Sequence, residues 1–316
     1  MAGIAKMRAW TASNKFQNDV QKWSGKVKNI IIGICMAIIV MGVCYIIVAP
    51  ILGIISRAIM TPEDAMNPLI FLIPQNFTMS NINYAITHMD YWRSLATTLG
   101  FALGFALLHV VVCSMVGYGF ARFKFPGSNV LFALVIVSIV VPVHSYMIPM
   151  FMNFRNFLGT DINLIDSVWA LGLLTATGVG LRSGLYIYIF RQFFRGLPKE
   201  IEEAAFIDGA GALYTYAKVM IPNAKPAIVT VLLFAFVWHY NDTFYTSLLM
   251  PNYNFLSSML MGLGPTFSMI EVVNAPFLIQ MVVFGGVLLA VAPILIIYLF
   301  LQRYFVEGLE RSGIVG

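Results

Sequence analysis

Apolar positions along this chain run in long blocks, without the three-and-four-residue rhythm of a surface helix or the alternation of a half-buried strand. Six blocks are long enough to cross a hydrocarbon core of about 30 Å, which takes roughly 20 residues of helix. They run from Ile30 to Ile55, Leu95 to Phe120, Val130 to Met152, Trp169 to Phe190, Ala227 to Met250 and Phe277 to Leu301. The pattern predicts an all-α integral membrane protein with six transmembrane helices over residues 30–301. Residues 1–29 and 302–316 are left as terminal tails, 57–92 as a long external loop and 196–226 as a polar insert.

Composition supports this reading. Of the 316 residues 59% are hydrophobic and only 10% charged, and the mean hydropathy is +0.84, too apolar for a soluble domain with one core. Basic residues orient the chain, because Lys and Arg of short loops stay on the cytoplasmic side. With both termini inside, the cytoplasmic face holds the basic residues from Lys6 to Lys28, Arg122, Lys124, Arg191, Arg195, Lys199, Lys218, Lys225, Arg303 and Arg311. The external face keeps Arg57, Arg93 and Arg155, and Arg182 falls inside the fourth span. The net charge of +5 thus reports topology; spread over five segments, it makes no nucleic-acid footprint. Cys35, Cys44 and Cys113 lie inside spans without metal-ligand spacing and read as buried reduced thiols. The first span exceeds a signal-peptide core, has no small-residue cleavage site after it, and reads as a retained anchor.

Two interruptions stand out. In the third span Pro142 and Pro149 flank His144, and such prolines free backbone carbonyls that only neighbouring helices or a wet cavity can satisfy. A packing kink and a pathway both fit. The second is the insert GLPKEIEEAAFIDGAGALYTYAKVMIPNAKP, Gly196 to Pro226. Pro198 suits a first helical turn, and Glu200, Glu202 and Glu203 complement the positive end of the dipole. Leu197, Ile201, Ala204 and Ala205 form one apolar stripe, with Glu200, Glu203 and Asp208 directed elsewhere. Gly209 ends that helix. A second short helix, Ala212 to Met220, leads through Ile221 and Pro222 to the fifth span. Together they make a low, small-residue knob that a partner's groove approaches closely. A membrane-surface helix without a partner is the alternative, although such helices favour Lys and Arg over glutamates.

Glu203-Ala204-Ala205, then Asp208-Gly209 and, after nine more residues, Val219-Met220-Ile221-Pro222, resembles the EAA loop of bacterial binding-protein-dependent ABC importers. GYGFARFKFPG (Gly117 to Gly127), VPVHSYMIPMFMNFRNFLGTDINLIDSVWAL (Val141 to Leu171), FRQFFRGLPKEIEEAAFIDGA (Phe190 to Ala210) and the terminal LQRYFVEGLERSGIVG are similar to the carbohydrate-uptake branch, the second permease subunit of the maltose type. The resemblance runs from about Ile73 to the C-terminus. It implies a cytoplasmic coupling helix in which Glu203, Ala204, Ala205, Asp208, Gly209, Ile221 and Pro222 meet an ATPase. It also implies a sister permease subunit, two ATP-binding subunits carrying ATP and Mg, an external solute-binding protein, a sugar or oligosaccharide substrate, and a place in the bacterial cytoplasmic membrane. Two features depart from the family. The fifth span reads Trp238-His239-Tyr240-Asn241-Asp242 where a Trp-Asn-Asp triplet is usual, and the C-terminal Gly313-Ile314-Val315-Gly316 lacks the usual Lys.

Enzymatic chemistry finds no support in the residues. No G-x-x-x-x-G-K-[ST] loop cradles a phosphate, so the energy source must be a separate subunit, and no cofactor is implied in this chain. No paired-histidine metal motif or G-x-S-x-G elbow occurs, and His88, His109, His144 and His239 stand apart in sequence. Gly100–Gly104 and Gly180–Gly184 read as close helix contacts. Polar groups inside spans carry more weight, since a charge at the bilayer centre costs about 2.5–3.5 kcal/mol on insertion scales. Trp238, Asn241, Asp242 and Tyr245 share a face if the fifth span is one helix, and form the candidate substrate path. Asn241 and Asp242 acting only as a lock between helices is the competing reading, and for Arg182 an ion pair or an interfacial position precedes substrate contact. A secondary carrier or a membrane-embedded glycan enzyme remains as an alternative, but would require inverted repeats or a catalytic cluster.

Overall fold

A computed structural model describes the backbone of residues 2–70, 72–271 and 275–313, and the side chains of 28–70, 72–271, 275–300 and 302. The described chain is helical, with a lone bridge between Met60 and Phe77. The helices are α1 (Ala2–Ala58), α2 (Pro62–Met66), α3 (Ser80–His88), α4 (Tyr91–Arg122), α5 (Ser128–Val140), α6 (Met147–Arg155), α7 (Val168–Ala176), α8 (Ser183–Gly196), α9 (Glu200–Ile207), α10 (Ala212–Thr215), α11 (Ile221–Asn223), α12 (Lys225–Tyr240), α13 (Phe244–Leu249), α14 (Leu256–Ile270) and α15 (Pro276–Gly313).

Three of the six expected spans are continuous: Lys28–Ala58 of α1, α4, and Pro276–Phe300 of α15. The other three are broken. The third turns by 102° between α5 and the segment from Val143 to Gly159. Pro142, with its fixed φ and missing N–H, sits at that corner. The fourth divides into α7 and α8 around residues 177–182, where Gly178 (φ +74°) and Arg182 (φ +60°) take left-handed conformations that no helix interior holds. The fifth enters through an 81° corner after α11 and ends at Tyr240, resuming as α13.

The pattern of apolar blocks missed α14. Its fifteen residues span only about 22 Å at 1.5 Å each, short of a bilayer. It lies between the fifth and sixth blocks, in a stretch to which block length alone assigned no element.

The core forms where α4, α8, α12 and α15 meet, around Tyr186, Phe190, Phe194, Met220, Val231 and Leu263. In lipid, close approach rather than escape from water holds helices together, and glycine makes that approach possible here. A Cβ on Gly117 would stand 2.6 Å from the Cβ of Phe190, and one on Gly184 2.6 Å from Ser138 Oγ. Gly184 is therefore the close contact its spacing suggested. Gly100 and Gly104 are not: nothing lies within 4 Å of either position, and both are exposed. The thiols also divide, with Cys113 buried but Cys35 and Cys44 exposed along α1.

Outside the spans, the loop from Ile59 to Thr78 folds around one carboxylate. Asp64 accepts from the amides of Gln75 (2.7 Å) and Asn76 (2.6 Å) and from Asn76 Nδ2 (3.0 Å). The Asn76 amide leads the interactions that hold its pKa below the usual 3.8. Beside it, Asn81 Nδ2 donates to the carbonyls of Ala58 and Met60, pinning α3 to the end of α1.

Candidate functional site

The three helix breaks converge. A cavity of about 1130 Å³ is lined by the Pro142 corner (Val141 to His144, Tyr146), by the α7–α8 break (Gly178 to Ser183) and by the α12–α13 break (Trp238, Asn241 to Tyr245). Irregular backbone at membrane depth survives only against protein or a wet cavity, and the local hydrogen bonds show how. Ser145 donates through Oγ (2.5 Å) and N (3.0 Å) to the Pro142 carbonyl. Thr246 Oγ1 (2.9 Å) and Ser257 Oγ (2.8 Å) both donate to the Asp242 carbonyl. α8 runs fourteen residues from the break to Gly196, so Arg182 stands about 21 Å from the end of that helix next to the polar insert.

All four residues expected along a substrate path line this cavity, but not as one helical face. α12 stops at Tyr240, which places Tyr245 on the next helix. Trp238 and Asn241 are open to the cavity, whereas Asp242 and Tyr245 are buried. The Asp242 carboxylate caps α13, accepting from the amides of Tyr245 (3.3 Å) and Thr246 (2.8 Å), an arrangement worth about 0.5–2 kcal/mol. These bonds stay within the expected fifth span, joining its two helical pieces rather than tying it to a neighbouring span. Asn241 Nδ2 folds back to the Val237 carbonyl at 2.8 Å. Arg182, exposed and without a carboxylate partner among the described residues, lies 4.3 Å from the centre of the Trp238 ring, at cation–π distance. His144 packs against Phe244, with ring centres 4.6 Å apart. An open face of Trp, Arg, His and Asn in an otherwise apolar wall suits a polyhydroxylated ligand, whose C–H faces stack on rings and whose hydroxyls pair with the polar groups.

His109 and His239, distant in sequence, meet in the core with Nε2 of His239 3.3 Å from Nδ1 of His109, linking α4 to α12. Among the described residues no cluster of three His, Cys, Asp or Glu has the arrangement to hold a metal.

The polar insert is the second site. α9 begins at Glu200, two residues after Pro198, so the proline precedes the helix. It ends in a Schellman turn: Ala210 N–H donates to the Ala205 carbonyl, Gly209 N–H to that of Phe206, and Gly209 takes φ +82°. Then α10, a π-helical segment from Tyr216 to Met220, and α11 lead to the corner at Ala224. The expected helix from Ala212 to Met220 is therefore half π-helix. Pro222 opens α11 and is exposed; Ile221 is half-buried.

The burial pattern of α9 differs from the apolar stripe the spacing suggested. Glu203, Ala204 and Asp208 are exposed, as are Phe206 and Ile207 (86% exposed), while Glu202 is buried. Its carboxylate takes a hydrogen bond from Tyr118 Oη and lies 3.2 Å from Arg122 Nε. Nη2 of Arg122 donates to the Leu197 carbonyl at 2.8 Å. Among the described residues, a buried acid beside a buried base is reason enough for Glu202 to turn inward. The signal was present in the sequence as polar residues Ser114, Tyr118 and Arg122, four apart on one face of α4.

Known proteins resemble this geometry and sequence. Residues 114–311 match a family model described as binding-protein-dependent transport system inner membrane component. An arabinooligosaccharides transport system permease protein, AraQ, of Halalkalibacterium halodurans is 27% identical over 278 residues, 87% of this chain and 93% of the relative. A maltodextrin transport system permease protein, MdxG, of Bacillus subtilis is 26% identical over 284 residues, 90% of this chain and 96% of the relative. Among solved structures, a bacterial ABC transporter involved in the import of the acidic polysaccharide alginate has a chain that superposes with TM-score 0.70 at 24% identity. The match covers 87% of this chain and 96% of that one, and shows the fold.

Proposed function

Because the chain belongs to the family of binding-protein-dependent transport system inner membrane components, we propose that it forms one half of a saccharide pathway whose opening is driven from its cytoplasmic knob. The chain is a membrane-embedded transport subunit and not an enzyme; ATP hydrolysis lies on separate subunits. In our reading both termini are cytoplasmic, a sister permease closes the open side of the cavity, and an external solute-binding protein delivers a sugar or oligosaccharide. The relatives named for arabinooligosaccharides and maltodextrin support that ligand class. Two ATP-binding subunits with ATP and Mg grip the segment of Glu203, Ala204, Ala205, Asp208 and Gly209, with Ile221 and Pro222 behind it.

The observation that carries the reading is the knob itself. Phe206, Ile207, Leu213 (69% exposed) and Tyr214 stand exposed on a turn that a Schellman cap makes rigid and a buried ion pair holds down. Apolar side chains presented so openly on a polar surface mark a partner's seat. Closing the ATPases around bound nucleotide would move two such knobs together and open the cavity to the other side of the membrane. Trp238 and Asn241 would then touch the passing saccharide, with Asp242 and Tyr245 holding the break in shape.

Copurification tests this. Expressed with its sister permease and ATPase subunits, the chain should retain the ATPases through detergent extraction, and a cysteine replacing Ile207 should cross-link to them; expressed alone, it should hydrolyse no ATP. ATPase activity in the isolated chain, or no cross-link from Ile207→Cys in an assembled complex, would overturn the assignment.

A further inference from the structure

The last turns of α4 hold the polar insert at three separate places. Ser114 Oγ and Tyr216 Oη share a hydrogen bond of 2.7 Å. Tyr118 Oη donates to one oxygen of Glu202, Arg122 Nε lies against the other at 3.2 Å, and Arg122 Nη2 reaches the Leu197 carbonyl. Ser114, Tyr118 and Arg122 lie at i, i+4 and i+8, one line along the helix. Their partners belong to the entry of the insert, to α9 and to the π-helical segment, so three parts of the knob are tied to the same rod. The central contact is the most enclosed: Tyr118 and Glu202 are buried and the Arg122 side chain is 6% exposed, while the Ser114–Tyr216 bond is half-buried on the Tyr216 side. Burial also raises the pKa of the Tyr216 phenol, keeping it neutral as a hydrogen-bonding group. Extra residues that make a π-bulge in a helix recur at functional positions; here the bulge falls on the stretch that begins with Tyr216.

The rod continues to the cavity. Gly117 lets α4 lie backbone to backbone against α8. Higher up, His109 meets His239, two residues before the α12–α13 break, and Thr98 Oγ1 accepts the amide of Leu256 at the start of α14 at 2.8 Å. One continuous helix of 32 residues therefore touches the insert at one end and, near its middle, packs His109 beside Gly180 of the cavity wall and against His239 just before the α12–α13 break. A buried carboxylate held by a hydrogen bond on one oxygen and an ion pair on the other is fixed in direction, where an apolar contact of the same area could slide.

We propose that Glu202, Arg122 and Tyr118 are positioning residues for energy coupling: a clamp that converts movement of the knob into movement of α4 and thereby ties ATP hydrolysis to opening of the cavity. The proposal rests on the reading of the knob as the ATPase seat.

The test uses the assembled transporter, with sister permease, ATPases and binding protein, in proteoliposomes, and reads the number of ATP hydrolysed per saccharide imported. Glu202→Gln and Arg122→Gln remove the charge pair, Tyr118→Phe removes one hydroxyl with little effect on packing, and Glu202→Arg with Arg122→Glu restores a pair of reversed polarity. Coupling free energies between sites commonly correspond to about 5–150-fold, and the ratio should rise within that range in Glu202→Gln and Arg122→Gln, less in Tyr118→Phe, and fall back in the reversed pair. If the clamp only stabilises the fold, complex yield, ATPase and uptake fall together and the ratio stays at the wild-type value, which overturns the proposal; so does a reversed pair no better coupled than either single variant. Failure of the underlying reading looks different, since Ile207→Cys would then not cross-link to the ATPase whatever the ratio does.

Discussion

Gly209→Val is the sharpest perturbation of the knob because its cost can be worked from the backbone alone. Gly209 sits at φ +82°, and nothing lies within 4 Å of a Cβ built there, so no clash adds to the conformational term. Left-handed backbone costs an ordinary L-residue about 1–2 kcal/mol, and a β-branched side chain is a genuine outlier in that region. The turn escapes the penalty by giving up the Ala210-to-Ala205 and Gly209-to-Phe206 hydrogen bonds, which frees the end of α9. A loss of 1–2 kcal/mol shifts the ratio of ordered to open turn by about 5–30-fold. Initial uptake by the reconstituted transporter should fall, by up to that factor, while the binding protein's affinity for its saccharide stays as it was. Gly209→Asn is the control, since Asn tolerates the left-handed region, and should lie much closer to wild type; Gly209→Ala belongs between. Wild-type uptake in Gly209→Val, or equal damage from Asn and Val, would show that the cap geometry has no bearing on transport.

Two further measurements address the other sites. Single cysteines replacing Trp238 and Asn241, in a background without Cys35, Cys44 and Cys113, should react with small hydrophilic thiol reagents at rates that change with ATP and loaded binding protein, whereas cysteines at buried Asp242 and Tyr245 should stay slow; four uniformly unreactive positions would assign the cluster to packing. In the loop between α1 and α3, Asp64 has a folded pKa lowered below 3.8, so the stability it contributes is complete above that value and is lost as pH falls through the folded pKa. Hydrogen exchange at the Gln75 and Asn76 amides should therefore stay protected from neutral pH down to about 4 and weaken below it, and Asp64→Asn should lose that protection throughout; protection indifferent to Asp64→Asn would refute this account.

What the sequence revealed follows from what each signal measures. Apolar block length reports whether a segment can lie in lipid, and all six blocks do carry helix. It does not report whether the helix is continuous. Pro142 was visible as a corner, but the break before Ser183 comes from Gly178 and Arg182 in left-handed conformations, and an arginine there carries no turn signature. The break after Tyr240 hid behind a helical face that Trp238, Asn241, Asp242 and Tyr245 would have shared had α12 gone on. α14 was lost for the opposite reason, being apolar enough but too short. Charge was the least legible. Three glutamates in a first turn look equivalent to a dipole argument, yet Glu202 alone faces Arg122 and Tyr118, a pairing that depends on where a helix some 80 residues earlier ends.

The breaks and the knob are joined by helices of nearly equal length. α8 has fourteen residues from the cavity to the insert, and α12 has sixteen from the insert back to the cavity, about 21 and 24 Å respectively. Each is bounded by a sharp change of direction: left-handed Arg182 and the Leu197 turn for one, the Ala224 corner and Asp242 for the other. A short helix held along its length by core packing and free to change angle at both ends moves as a rigid body, since its own hydrogen bonds resist bending. Phe190 and Phe194 on α8, and Ala235 and Val231 on α12, supply that packing, all in one core with α4. Were the knob to move as proposed, α8 and α12 would turn as rods about the core they share with α4, and the residues that absorb the turn would be those at the breaks, where the backbone already departs from helix.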